Sequence, residues 1–299
     1  MNILDLVGNT PLLKLEKLSR ESEGVSLYAK AEFLNPSGSV KDRAAKAMIL
    51  KGIADGDLKP GKTIIDATSG NTGIAYAMIG AVLGFPVTLY LPANAGAERK
   101  AIMKSCRAKI VETDPLESSE GAFAAAKKEA ERDPAAYFFP NQYYNDANWC
   151  AHYLSTGVEI WEQSNHAVTH FITGTGTSGT FTGVSRRLKE YDKNIRVIAV
   201  QPDSPFHGIE GTRHMASTGH PGFYDPALPD EIAPVSTGAA YAMARRLARE
   251  EGIYAGISSG ANVAAALNLA KTLPKGSAVV TILCDGGSRY VSDTFWGEG

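Results

Sequence analysis

Cysteine is scarce in this sequence: three in 299 residues, Cys106, Cys150 and Cys284, far apart and without a C-x-x-C pair. Such a set excludes a disulfide framework and a cysteine zinc cluster, and leaves small buried hydrophobes as the ordinary reading. Charge of one sign is lacking too. Thirty Lys and Arg against 32 Asp and Glu give a net charge of −2 with no basic run, so nucleic acid and anionic membranes find no electrostatic footprint here. The apolar stretches, such as Ile74 to Leu83, fall well short of the about 20 residues that span a bilayer. Met1-Asn2-Ile3-Leu4-Asp5 carries no basic segment ahead of an apolar core, and a cytoplasmic location is therefore expected. Repeats, low-complexity tracts and a disordered tail are missing as well.

What is present is a globular composition, 44% hydrophobic, at a length that suits two domains of roughly 150 residues each. Val25 to Phe33 alternates with a period of two, the pattern of a strand with one polar face. Further on, short apolar runs take over: Thr63–Asp66, Pro86–Leu91, Lys109–Glu112, Tyr137–Phe139, Val168–Thr173, Ile195–Val200 and Ala278–Cys284. Longer stretches rich in Ala, Leu, Lys and Glu separate most of them, which predicts doubly wound α/β architecture with parallel sheets covered by helices on both faces. Ser39 is placed to cap a helix over Val40–Lys51, and Gly252 to close one over Ala239–Glu251. The segment Asp203–Asp230, heavy in Pro, Gly and His, reads as one long functional loop.

Four Gly/Ser/Thr-rich turns stand at junctions leading into helices: Asn35–Arg43, Thr68–Gly73, Gly174–Thr180 and Ile257–Asn262. Singly each is an ordinary helix cap. Together they collect at the carboxyl edges of parallel sheets and suggest an anion held mainly by backbone N–H groups. Gly174-Thr175-Gly176-Thr177-Ser178-Gly179 also satisfies G-x-G-x-x-G, with Asp203 at a tolerable distance for a ribose contact, so a nicotinamide-dependent oxidoreductase is a competing reading. The hydroxyls of Thr177, Ser178 and Thr180 favour a phosphate monoester, which needs more donors than a pyrophosphate. Gly56 to Thr63 fits G-x-x-x-x-G-K-[ST] literally, but it follows a helix and launches a strand, the reverse of a P-loop.

Cys150 and His152 are two apart in a predicted helix, where side chains diverge, which disfavours a Cys/His nucleophile pair. His207, His214 and His220 have spacings that match no metal-ligand pair. No metal site is expected. Lys41 carries more information. A cation in the first helical turn opposes the macrodipole at a cost of about 0.3–1 kcal/mol, and the same field favours the free amine that forms a Schiff base.

Asn35-Pro36-Ser37-Gly38-Ser39-Val40-Lys41-Asp42-Arg43, Thr68-Ser69-Gly70-Asn71-Thr72-Gly73, Gly176-Thr177-Ser178-Gly179-Thr180 and Gly256-Ile257-Ser258-Ser259-Gly260, in this order and spacing, resemble the cysteine synthases. These are pyridoxal-phosphate enzymes of fold type II. The resemblance runs from Gly8-Asn9-Thr10-Pro11-Leu12 to Asp285-Gly286-Gly287-Ser288-Arg289-Tyr290. It implies two α/β domains, a smaller one over 35–145 and a larger one from 1–34 and 146–299, with the cofactor in the cleft. Lys41 would hold the cofactor and later move the α-proton; Asn71 would bond its 3′-hydroxyl. Thr68, Ser69, Asn71, Thr72 and Gln142 would take the substrate carboxylate. Gly176, Thr177, Ser178, Gly179 and Thr180 would bind the phosphate, and Ser258 would face the pyridine nitrogen, for which Asp285 is the nearest carboxylate rival.

The segment Gly208-Ile209-Glu210-Gly211-Thr212-Arg213-His214-Met215 resembles the loop that in B-type members carries an arginine near the site, which makes Arg213 a candidate substrate contact. Thr212 and His214 depart from that loop's commonest residues. The implied reaction is β-replacement on an activated serine, O-acetylserine or O-phosphoserine, through an aminoacrylate, with sulfide or thiosulfate giving cysteine or S-sulfocysteine. A homodimer is implied as well. Cystathionine β-synthase and serine/threonine dehydratase chemistry share the cofactor and remain alternatives.

Overall fold

The computed structural model describes residues 1–68 and 70–297. The chain divides into two compact units, one of Met1–Val7 with Lys41–Asn148, the other of Gly8–Val40 with the chain from Trp149 onward. Their limits differ from the expected ones at residues 1–7, at residues 35–40 and, by three positions, at 146–148. The first seven residues join the smaller unit because the turn Ile3–Leu6 buries Leu4 with Ala44, Met48 and Ile79, and Lys46 Nζ donates to the Leu4 carbonyl at 2.8 Å. Residues 35–40 stay with the larger unit. There Ser39 bridges Asp285, the Val40 amide donates to the Cys284 carbonyl, and the Val40 side chain packs with Ile160 and Phe181.

Ten strands are named in chain order: β1 (Leu12–Lys14), β2 (Ser26–Ala31), β3 (Thr63–Ala67), β4 (Val87–Pro92), β5 (Lys109–Thr113), β6 (Tyr137–Phe138), β7 (His170–Gly174), β8 (Arg196–Pro202), β9 (Glu231–Val235) and β10 (Ala278–Leu283). The smaller unit holds a four-stranded parallel sheet, ordered β5-β4-β3-β6. Alternation along β3 explains its two covered faces. Ile64 packs with the helices Lys41–Ala54 and Asn71–Leu83, while Ile65 and Ala67 pack with Ala122 and Ala126 of the helix Ser118–Arg132. Each fully buried Ile or Leu contributes about 1.5–3 kcal/mol relative to exposure.

In the larger unit the sheet has six strands, ordered β1-β2-β10-β7-β8-β9, all parallel except for the β1–β2 pair. One face packs against the helices Thr237–Arg246 and Ile257–Ala270, the other against Gly157–Gln163 and Gly179–Tyr191. The doubly wound expectation thus holds in both units. The expected polar face of β2 is not a solvent face: Lys30 is fully buried, paired with Glu159 at 2.7 Å and bonded to Gln163 Oε1 at 2.8 Å. Glu32, just beyond the strand, is buried too and accepts from Thr10 Oγ1 at 2.6 Å. A pattern of alternating polarity cannot distinguish water from an ion pair at the polar positions.

Both sheets contain a reversal of strand order. In the smaller one the chain winds from β3 out to β5 and then returns to β6 on the far side of β3; in the larger one it winds from β7 to β9 and returns to β10. Ligands of open α/β sheets bind at the carboxyl ends of strands beside such reversals.

Candidate active site

In the larger unit, the turn after β7 lies at that unit's reversal. Asn262 stitches it there. Its Oδ1 accepts from the Gly174 amide at 2.8 Å, and its Nδ2 donates to Thr173 Oγ1 and the Ile282 carbonyl, tying β7 to β10. The helix Gly179–Tyr191 begins from Ser178, a non-glycine residue in the left-handed region with φ +66°, a conformation that costs of order 1–3 kcal/mol and tends to persist where the surroundings enforce it. The hydroxyls of Thr175 and Ser178 are buried, and each oxygen lacks a hydrogen-bond partner. Two buried unpaired hydroxyls at the amino end of a thirteen-residue helix form a cradle suited to an anion. Gly176 is required sterically, because a Cβ there would fall 2.1 Å from the Gly211 carbonyl oxygen.

That contact also places the long loop. Arg213 donates its amide to the Thr175 carbonyl at 2.8 Å, so the segment 208–213 lies directly on the turn, and the Arg213 guanidinium reaches the Gly219 carbonyl at 3.1 Å. His207, His214 and His220 bond within the same loop, to the Ile209 amide, Ser217 Oγ and the Met215 carbonyl. Among the described residues no group of three or more His, Cys, Asp or Glu is arranged to hold a metal.

Ser258 lies in the first turn of the helix Ile257–Ala270 and is buried; Ser259 beside it accepts from the Cys284 amide at 2.9 Å. The rival carboxylate, Asp285, is fully buried, its Oδ2 accepting from the Tyr290 hydroxyl at 2.7 Å. Gly256 gives it room, since a Cβ at that position would sit 2.2 Å from Asp285 Oδ1.

In the smaller unit the turn after β3 lies beside the reversal between β3 and β6, and the segment after β6 delivers Gln142 to it. Thr72 Oγ1 donates to Gln142 Oε1 at 3.0 Å, Gln142 Nε2 to the Ala67 carbonyl at 3.3 Å, and Asn148 Nδ2 to the Gln142 carbonyl at 2.7 Å. Thr68 Oγ1 accepts from the Gly70 amide at 3.3 Å, and Asn71 opens the helix Asn71–Leu83. Ser69 lies outside the described residues. Lys41 is the first residue of its helix, Lys41–Ala54, so the expected Ser39 cap is displaced by one position: Ser39 precedes the junction residue and its backbone bridges Asp285. Thr68, Asn71, Thr72 and Gln142 are thus brought together in one unit, and Gly176 to Thr180, Ser258 and Arg213 belong to the other.

His152 was visible in the sequence only as a neighbour of Cys150. In the structure a π-helical turn, His152–Thr156, follows the helix Ala147–Ala151 and directs the buried imidazole between Thr156 Oγ1 at 2.9 Å and Thr180 Oγ1 at 3.3 Å. Gly183 makes the approach feasible, because a Cβ there would meet the Trp149 carbonyl at 2.2 Å. Nothing in the local sequence marks a π-turn, and the partner lies 28 residues away.

The family model described as pyridoxal-phosphate dependent enzyme matches residues 3–285. The chain belongs to that family. It is 48% identical to the cysteine synthase of Aquifex aeolicus, with 99% of this chain and 92% of that protein covered. To cysteine synthase B of Salmonella typhimurium it is 42% identical, covering all of this chain and 97% of the relative. Among solved structures, a cysteine synthase from Entamoeba histolytica superposes with a TM-score of 0.94 at 37% identity over all of this chain and 91% of that one.

The residues present fit the cofactor of this pyridoxal-phosphate family. Its phosphate is an anion, and the Thr175–Thr180 turn offers buried unpaired hydroxyls and a helix amino terminus, with no Lys or Arg of its own. A nicotinamide, the competing reading of the same glycine pattern, is not the cofactor of this family.

Proposed function

We propose that this protein is a cysteine synthase of the B type, catalysing β-replacement on an activated serine with a sulfur nucleophile. The observation that carries the reading is the pair of buried unpaired hydroxyls of Thr175 and Ser178, with the strained backbone of Ser178, which suits a phosphate monoester; the full-length likeness to cysteine synthases supplies the reaction. When bound, pyridoxal phosphate supplies an electron sink conjugated to the substrate α-carbon. Lys41 would hold it through Nζ and would serve as the base that takes the substrate α-proton. Gly176, Thr177, Ser178, Gly179 and Thr180 hold the phosphate, with His152 fixing Thr180. Asn71 holds the ring hydroxyl. Thr68, Ser69, Asn71, Thr72 and Gln142 grip the substrate carboxylate and so point the α-proton at Lys41.

Ser258 would hold the ring nitrogen of the cofactor. A neutral hydroxyl there would favour the ring nitrogen's protonation less than a carboxylate would, and the group would then supply a weaker electron sink, suited to β-elimination and replacement. The engagement of Asp285 by Tyr290 supports the choice of Ser258. Arg213, anchored on the phosphate turn by its backbone, is the cation available to an anionic substrate, thiosulfate or O-phosphoserine. The protein works as a cytoplasmic homodimer. No helix among the described residues is long and apolar enough to cross a membrane.

The test is product analysis with the purified protein, offering O-acetylserine and O-phosphoserine against sulfide, thiosulfate and homocysteine. Cysteine or S-sulfocysteine is expected. Cystathionine as main product, or ammonia and pyruvate without a sulfur nucleophile, would replace the reading with cystathionine β-synthase or dehydratase chemistry.

A further inference from the structure

Asp66, near the end of β3, is fully buried, yet no role in the proposed chemistry uses it. Its Oδ1 accepts from the Ala67 amide at 2.7 Å. Oδ2 lacks a hydrogen-bond partner of good geometry, although the Tyr76 hydroxyl is close enough to act on it. The other side of Ala67 is equally committed, since its carbonyl accepts from Gln142, and Gln142 in turn accepts from Thr72. Hydrogen bonds therefore lead from the Asp66 carboxyl to the Ala67 amide, and from the Ala67 carbonyl to Gln142 and on to Thr72 of the Thr68–Thr72 turn.

We propose that Asp66 is a positioning residue: it fixes the last peptide of β3 and thereby the orientation of Gln142 and Thr72 toward the substrate carboxylate. This rests on the assignment of that turn to the amino-acid substrate. A carboxyl side chain suits the task because it accepts strongly from a backbone N–H without swelling the core. Burial pushes the Asp66 carboxyl up to about 7, with the Ala67 amide and the Tyr76 hydroxyl working in the opposite direction. The groups facing it are few. Tyr76 of the helix Asn71–Leu83 is held protonated by burial, with Tyr143 acting on it in the same direction, the helix Lys41–Ala54 presents Met48 next to the Tyr76 hydroxyl, and β4 pairs Leu89 with Asp66. Near neutral pH the carboxyl therefore titrates, and its ionised form holds the Ala67 amide more strongly than its neutral form.

Three variants test this. Asp66→Ala removes the acceptor, so KM for O-acetylserine should rise about tenfold while kcat stays within about twofold. Asp66→Asn keeps a neutral acceptor and should restore KM to near the acidic-limb wild-type value, while the change in KM that the wild type shows through pH 7, measured as a ratio to the variant so that substrate titration cancels, disappears. Asp66→Leu should behave like Asp66→Ala. Independently of any substrate, hydrogen exchange in the peptide covering residues 67–73 should quicken about tenfold in Asp66→Ala and little in Asp66→Asn. Wild-type KM in Asp66→Ala, or unchanged exchange there, overturns the proposal. Equal losses of kcat and cofactor binding in Asp66→Ala would make Asp66 part of the general scaffold and overturn it too. If Asp66→Ala and Asp66→Leu fail to fold, Asp66→Asn decides alone, and a retained pH step overturns the proposal. Should the wild type not turn over O-acetylserine at all, the functional reading fails while hydrogen exchange still decides the role of Asp66.

Discussion

The two glycine-rich turns occupy equivalent places, each at the carboxyl end of a strand beside a reversal of strand order, and each opening a helix of thirteen residues. Their hydrogen bonding differs. After β3 the side chains bond one another, Thr72 to Gln142 and Gln142 to the Ala67 carbonyl; after β7 the hydroxyls of Thr175 and Ser178 are buried and unpaired. Preorganisation suits a group that meets each new substrate in the same pose. An under-satisfied cradle suits a phosphate that stays and itself supplies the missing acceptors. Under the proposed function, equivalent topology would host two tasks, separated by whether the protein satisfies its own polar groups.

The largest expected effect falls on neither turn but on Lys41. Lys41→Ala should abolish turnover and the yellow absorption of the purified protein; a variant that keeps turnover would remove the residue from the chemistry. Next comes the under-satisfied turn. Gly176→Ala forces a methyl group against the Gly211 carbonyl, so the turn and the loop over it must part, and the protein should purify with little bound cofactor. Full cofactor occupancy, measured by absorbance after dialysis, would mean that the phosphate sits elsewhere.

The loop on that turn gives a smaller effect. Arg213→Ala should lower kcat/KM for thiosulfate or O-phosphoserine by about 1.5–3 kcal/mol, as for a lost charged hydrogen bond, while leaving O-acetylserine with sulfide nearly unchanged. Equal losses on both pairs would assign Arg213 a structural part through Gly219. The self-bonded turn should respond least. Gln142→Ala removes a bond to Thr72 and one to Ala67, each worth about 0.5–1.5 kcal/mol, and should raise KM for the amino-acid substrate with cofactor binding intact. Loss of cofactor in that variant would break the division of labour between the turns.

Stability against pH sharpens the same contrast at a buried acid. The folded-state value of Asp66, about 7, lies above the ordinary carboxylate value of 3.8, so the folded protein binds the extra proton. Its contribution to stability is intact below pH 4 and is lost as pH rises toward 7. Asp66→Asn should remove that decline, and thermal unfolding between pH 5 and pH 8 measures it. A wild-type profile in the variant would place the titration on another group.

Much of this was legible in the sequence because local rules governed it. Seven apolar runs became strands; the central ones, β3, β4, β7 and β10, are largely buried and need an unbroken apolar core whatever surrounds them. Gly252 closes its helical segment in the left-handed region, at φ +70°, as glycine most readily does. The literal P-loop from Gly56 to Thr63 runs from a helix into β3, the order that ruled it out. What stayed hidden depends on distant partners. Lys30 reads as a surface residue until Glu159 and Gln163 enclose it. β1 and β9 are edge strands, and an edge strand, paired on one side alone, forms with too little apolar content to stand out in the sequence. His152 reaches Thr180 only because a π-turn rotates it there, and Asp66 acquires its meaning from Gln142, 76 positions further along the chain.

The most direct test of the central claim is to reduce the yellow protein with borohydride, which fixes the cofactor to the lysine that holds it, and to map the labelled peptide. The account predicts a single label on Lys41, absent from Lys41→Ala. A label on Lys30, Lys46 or any other lysine, or no label on a coloured and active protein, would contradict it.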